Sequence, residues 1–289
     1  MARHEAQWYD RQYNNRARVP EAPELLSRWS GASSLARGQQ ACVLDLSYGS
    51  NPGETLDVFP ADKAGAPVMV FVHGGYWRAL DKSDVSFVAP VFTQRGVTVV
   101  VPNYALCPAV GIETISLQCA QALAWTWRNI AQFGGNPQRI AVVGHSAGGH
   151  LAAMMLSCRW RELGDDLPQR LILGALSISG LFDLEPIRHT AFLQADLNLT
   201  PAQVRRLSPA FFPRPRAGVL YATVGADESE EFLRQNKLIR DQWGPTAVPI
   251  CESLPGCNHF NVLHALVDPA QRLHGLALRL LGIHGEQSL

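Results

Sequence analysis

From residue 42 onward, short apolar runs alternate with longer amphipathic stretches, a pattern that predicts strands alternating with helices. Cys42–Tyr48 and Thr55–Phe59 alternate apolar and polar residues around Gly49–Gly53, which predicts a half-exposed antiparallel hairpin. Pro67–Val72 and Val97–Val101 are continuously apolar, as expected of central strands covered on both faces. A helix is predicted between them over Ser83–Arg95. A longer one is predicted over Glu113–Phe133, where Ile115, Leu117, Ala120, Leu123, Ala124 and Trp127 recur at helical spacing. Gly134–Gln138 ends that helix and leads into a strand at Ile140–Val143. Further strands are expected at Leu171–Ser179, Val219–Val224 and Val248–Ser253. Helices are expected at Gly149–Leu156, Glu230–Trp243 and Ala270–Leu281.

Two stretches fall outside this alternation. Residues 1–40 are polar and strand-free, with a helical look at Glu21–Trp29, where Leu25, Leu26 and Trp29 share a face; they read as an N-terminal arm packing on the body. Residues 181–215 carry Pro186, Pro201, Pro209, Pro213 and Pro215 among short helical pieces and read as a cap insert. The expected architecture is α/β: a mostly parallel central sheet of about eight strands, helices on both faces, and a small cap. Residues 41–289 form one domain in this reading.

Composition narrows the partners. The chain has 289 residues, 47% hydrophobic and 17% charged, which suits a large buried core. Lys+Arg and Asp+Glu balance at 25 each, which gives no reason to expect nucleic acid or an anionic membrane as a partner. No apolar run reaches transmembrane length and the first residues lack an apolar signal segment, so a cytoplasmic protein is expected. The six cysteines contain no C-x-x-C pair and read as free thiols, with a Cys251–Cys257 bridge left open. The expected partner is a small-molecule substrate, and the sequence is compatible with a homodimer.

The chemistry centres on Gly144-His-Ser-Ala-Gly148. It follows a predicted strand and opens a small-residue helix, the context in which G-x-S-x-G forms a nucleophile elbow. The turn is too tight for side chains at the flanking glycines, and the strained backbone lifts the hydroxyl of Ser146 clear of the sheet. An ordinary glycine-rich strand-to-helix turn is the bland alternative, and the match on both flanks disfavours it.

A serine hydroxyl needs a base. In chain order the acid and then the histidine follow an elbow serine. His4, His73, His145 and His150 come too early, His189 sits in the cap, and His264, His274 and His284 fall on or beyond the last helical segment. His259, in the loop Pro255–Asn261 after the last strand, is the base by order and placement. The acid belongs after Val219–Val224, where Asp227 and Glu228 are both in reach and spacing does not separate them. Glu230 and Glu231 are explained by the positive end of the following helix; Asp183 is a weaker candidate after the preceding strand. An oxyanion hole completes the set. The backbone of Ala147 supplies one donor, and Gly74 and Gly75 in His73-Gly-Gly-Tyr-Trp77 supply the others.

His73–Trp77 together with Gly144–Gly148 resembles the hormone-sensitive-lipase-like branch of the α/β-hydrolases. Within it the H-G-G-x-W form resembles the serine-dependent kynurenine formamidases, or arylformamidases. Leu56–Pro60, Asn103–Pro108 and Gly180–Pro186 match as well, so the resemblance spans roughly residues 45–265. It implies an acid in an acid-Ser-x-Glu-Phe pattern, which falls on Glu228–Phe232 and favours Glu228 over Asp227, although the family's usual residue there is aspartate. It further implies a cofactor-free, metal-free hydrolase of a small aryl formamide or ester of the N-formylkynurenine type, acting through an acyl-enzyme on Ser146. Tyr76, Trp77 and Phe260 are candidates for an aromatic substrate wall and equally for core packing. A general short-chain carboxylesterase is the alternative activity, and a non-catalytic ligand-binding protein on a hydrolase scaffold is the alternative of another class.

Overall fold

A computed structural model describes residues 4–283 of the chain. Eight strands form one sheet: β1 (Val43–Ser47), β2 (Thr55–Phe59), β3 (Ala66–Val72), β4 (Thr98–Pro102), β5 (Gly135–His145), β6 (Gly174–Ile178), β7 (Val219–Gly225) and β8 (Ile250–Leu254). Their order across the sheet is β1-β2-β4-β3-β5-β6-β7-β8. The β1–β2 and β2–β4 pairings are antiparallel and all others parallel, as the hairpin and the apolar runs predict.

The central strands are buried on both faces, and their period of two divides the core into layers. Val68, Val70 and Val72 of β3 and Ile140 and Val142 of β5 join one cluster with Leu123, Leu151, Phe232 and Trp243. Met69, Phe71, Ala141 and Val143 face the other side, with Trp29, Phe92, Leu263 and Leu276. One consequence governs function. β3 and β5–β8 run the same way, so the loops after Val72, His145, Ile178, Gly225 and Leu254 all emerge at one edge of the sheet. Open α/β sheets bind their ligands at this carboxyl edge.

Some predicted elements change. The expected Ser83–Arg95 helix is instead two 3-10 turns, Lys82–Asp84 and Ser86–Val88, followed by a short α-helix at Ala89–Thr93. Pro90 sits at the start of that helix, where its missing N–H costs nothing, and would have broken a continuous one. The Glu230 helix runs on to Ala247 across a break at Gly244, whose φ is 78° ahead of Pro245. Val262–Val267 is an additional helix before Arg272–Leu280.

The N-terminal residues form helices at Ala6–Tyr13, Asn15–Arg18 and Ala22–Gln39, the last longer than its apolar face suggests. A charge cluster centred on buried Asp57 ties this region to the sheet. Asp57 of β2 is fully buried and pairs with Arg37 and with Lys82 Nζ at 2.8 Å, while Asp45 takes Lys82 Nζ at 2.6 Å. Between β6 and β7 lie the helical pieces Glu185–Arg188, Ala191–Leu197, Pro201–Leu207 and Pro209–Phe211. All six cysteines, Cys251 and Cys257 included, are free thiols. Among the described residues no helix is long and apolar enough to cross a membrane.

Candidate active site

β5 ends at His145, and the helix Ala147–Leu156 begins one residue after the serine between them. Ser146 takes φ 56° and ψ −118°, a conformation disfavoured for an L-residue, and its N–H donates to the Ile178 carbonyl over 2.8 Å. The flanking glycines are obligatory. A Cβ on Gly144 would stand 2.0 Å from the Gly148 carbonyl oxygen, and one on Gly148 would stand 2.0 Å from the Val72 carbonyl oxygen.

His259 lies in the turn after β8. Its Nε2 is 3.1 Å from Ser146 Oγ and its Nδ1 is 2.6 Å from Glu228 Oε2. The second carboxylate oxygen, Oε1, accepts from the Gly225 N–H at 2.8 Å and from the Ser179 hydroxyl at 2.5 Å. The three side chains therefore form one unbroken chain of hydrogen bonds, with Ser146, Glu228 and His259 only 2%, 7% and 6% exposed. Shielding from water strengthens each of these contacts.

Asp227, the other candidate acid, is exposed. Its N–H donates to the Cys257 carbonyl, and the turn closed by the Glu228 N–H on the Gly225 carbonyl brings the next residue inward. Asp183 pairs with Arg234 at 3.4 Å instead of reaching the histidine. Glu231 accepts from Tyr13 and Arg234, while Glu230 stays exposed at its helix start.

The loop after β3 lies against Ser146. A Cβ on Gly74 would sit 3.1 Å from Ser146 Cβ and 2.9 Å from the His145 carbonyl oxygen. Gly75 has φ 96° and no room for a side chain, since a Cβ would meet the Ala79 carbonyl oxygen at 2.1 Å. Tyr76 and Trp77 continue the left-handed path at φ 50° and 56°. His73 holds this loop from below: its ring stacks on Tyr104 at 4.1 Å, its Nδ1 lies 2.9 Å from the Gly74 carbonyl, and Tyr104 donates to the His73 carbonyl at 2.8 Å. Burial pushes the His73 imidazole below its ordinary value, so it stands neutral. The Gly74 backbone thus approaches Ser146 closely, and Ala147 opens the helix directly after it.

The aromatic candidates separate. Trp77 is fully buried, with its ring edge-on to His150 at 5.0 Å, and belongs to the core. Phe260 packs in the opposite core layer beside Trp29 and is 6% exposed. Tyr76 is half-buried, and its hydroxyl donates to the Tyr13 carbonyl at 2.7 Å, joining the loop after β3 to the N-terminal helix. Three residues beyond the sequence candidates touch the Ser146–His259–Glu228 chain: Ser179 and the Gly225 N–H on Glu228, and His145, whose Nε2 lies 2.8 Å from the His259 carbonyl. His145 carries a visible signal as the variable residue of the elbow, but Ser179 carries none.

Comparison with known proteins places the fold in a family. A family model described as the alpha/beta hydrolase fold matches residues 69–233. A kynurenine formamidase of Salmo salar is 31% identical over 86% of this chain and 84% of its own length, and one of Danio rerio is 28% identical over 89% and 88%. Among solved structures, a proposed thioesterase from a Silicibacter species superposes with a TM-score of 0.81 at 30% identity, covering 91% of this chain and 96% of its own. An esterase of Pyrobaculum calidifontis, at 16% identity and a TM-score of 0.68 over 90% and 93%, shares the fold. The chain belongs to the α/β-hydrolase family, among its kynurenine-formamidase-like hydrolases.

Proposed function

We propose that the chain cleaves a small aryl formamide or ester of the N-formylkynurenine type through an acyl-enzyme on Ser146. The observation that carries this reading is the continuous Ser146–His259–Glu228 hydrogen-bond chain beside a glycine-rich loop.

In this mechanism Ser146 Oγ attacks the formyl carbonyl carbon while His259 Nε2 takes its proton. Glu228 holds the imidazole by accepting from Nδ1–H and stabilises the imidazolium that forms. The negative charge on the former carbonyl oxygen is met by the N–H groups of Gly74, Gly75 and Ala147, each such donor being worth roughly 100- to 1000-fold in rate. His259 then gives its proton to the departing aryl amine as the carbon–nitrogen bond breaks. Water repeats the sequence on the formyl-enzyme, releasing formate and restoring the serine hydroxyl.

Three curated relatives that align along most of the chain are named kynurenine formamidases, which favours the formamide. A second reading, a broad short-chain ester or thioester hydrolase, draws on the proposed thioesterase at 30% identity. The carbonyl-activating parts serve either substrate, so the leaving group decides. Steady-state kinetics on N-formylkynurenine and on p-nitrophenyl acetate test the choice. A kcat/KM at least about 100-fold higher on the formamide supports the first reading, since a site that hydrogen-bonds its substrate discriminates on this scale or beyond. Comparable values on unrelated esters support the second.

A further inference from the structure

Ser179 follows β6 directly and belongs to none of the motifs that single out the site. It is 1% exposed and holds φ at 53°, in the left-handed region that a buried serine occupies only when its surroundings impose it. Its N–H donates to the Thr223 carbonyl at 2.7 Å, which pins the strained residue to the neighbouring strand. Parallel pairing of β6 with β7 sets Ile178 opposite Thr223, so Ser179 stands beside the end of β7, from which the Glu228 turn departs.

We propose that Ser179 is a positioning residue that fixes which carboxylate oxygen Glu228 presents to His259; this rests on the reading of Ser146, His259 and Glu228 as the catalytic chain. Glutamate has one more rotatable bond than aspartate, and a free glutamate samples many orientations. Here Oε1 is held by two donors, the Ser179 hydroxyl and the Gly225 N–H, which leaves Oε2 for His259 Nδ1. The backbone donor alone leaves the carboxylate free to pivot about Oε1; the second donor removes that freedom. The strain at Ser179 thus has a counterpart in function: the left-handed turn carries a hydroxyl across to the acid. A longer acid and a serine clamp are parts of one arrangement.

The test uses two substitutions that leave the strained backbone in place. Ser179→Gly accepts a positive φ and removes only the hydroxyl, and Ser179→Cys keeps the side chain with a much weaker donor. The expected result is a kcat lower by about 10- to 100-fold for Ser179→Gly, the range of one hydrogen bond to a charged group. KM stays within about two-fold, and the Cys variant falls between Gly and the parent. In a Glu228→Gln background the Ser179→Gly change costs nothing further, because its effect passes through the acid. A Ser179→Gly kcat within two-fold of the parent, or losses that multiply with those of Glu228→Gln, overturns the proposal while leaving the catalytic chain intact. Full activity in Glu228→Gln overturns both. Should the Gly variant fold poorly, the Cys variant decides by the same two comparisons.

Discussion

The Nε2–H of His145 donates to the main-chain carbonyl of His259 over 2.8 Å, and the two imidazole rings stand 4.8 Å apart. The residue before Ser146 thus holds the loop that carries His259. Burial, and then the neighbouring His259, keep the His145 imidazole well below its ordinary value, so it remains a neutral donor. Replacing His145 by Ala removes one buried hydrogen bond, worth ~1 kcal/mol. The resulting drift of His259 lowers kcat by roughly ten-fold. His145→Gln, which keeps a donor, loses less. Parallel steady-state kinetics check the order.

The acid assignment makes a sharp contrast between adjacent residues. Glu228→Gln keeps the shape but presents an amide to His259 and is expected to lower kcat by roughly 1000-fold or more. Asp227→Asn, at an exposed side chain that does not face His259, leaves kcat within about two-fold. A large loss in Asp227→Asn would reassign the acid.

Gly75→Ala tests the loop after β3. The new methyl meets a carbonyl oxygen and the positive φ is strained for alanine, so the loop must shift. Activity is expected to fall by about 100-fold, with a stability loss of ~1–3 kcal/mol. Gly53→Ala is the control, because nothing lies within 4 Å of its Cβ position. Kinetics and thermal melts on the two variants read the difference.

Acid sensitivity follows from the buried imidazoles. His150 is fully buried, its Nε2–H donates to the Leu207 carbonyl, and burial pushes its imidazole down to about 4. The unfolded chain binds this proton at its ordinary value near 6.5, so unfolding takes up a proton throughout the interval between. Stability is therefore unaffected by this group above pH 6.5 and falls as pH drops from 6.5 toward 4, by about 3 kcal/mol across the interval. His73 and His145 are shifted the same way and add to the slope. Urea unfolding at a series of pH values is expected to show a shallower decline for His150→Gln, which keeps a donor and cannot titrate. An unchanged slope would remove His150 from the account.

The parts of the site written as contiguous motifs were legible in the sequence, because a strand, a glycine turn and a helix leave a local signature. Gly144–Gly148 and His73–Trp77 are of this kind, and chain order then singled out His259. Spacing alone did not separate Asp227 from Glu228, since the choice depends on how a turn closes onto the Cys257 carbonyl from a distant segment; only the family resemblance favoured Glu228. The same holds for Ser179, whose partner is 49 residues away. Trp77, the last residue of its motif, and Phe260, next to His259, face the core, because position in sequence does not say which side of a turn a ring takes. In the fold, the strands were legible from their apolar runs. The broken helix at residues 82–93 was obscured because apolar spacing continued through Pro90.

Acylation of Ser146 with His259 as its base can be read by intact-mass analysis after treatment with a fluorophosphonate, alongside hydrolysis of N-formylkynurenine and p-nitrophenyl acetate. A single covalent adduct on Ser146 is expected in the parent protein. No adduct is expected in Ser146→Ala, with hydrolysis of both substrates lower by roughly 10,000-fold or more. An unmodified parent protein, or a Ser146→Ala variant that still hydrolyses either substrate at the parent rate, would contradict acylation at Ser146.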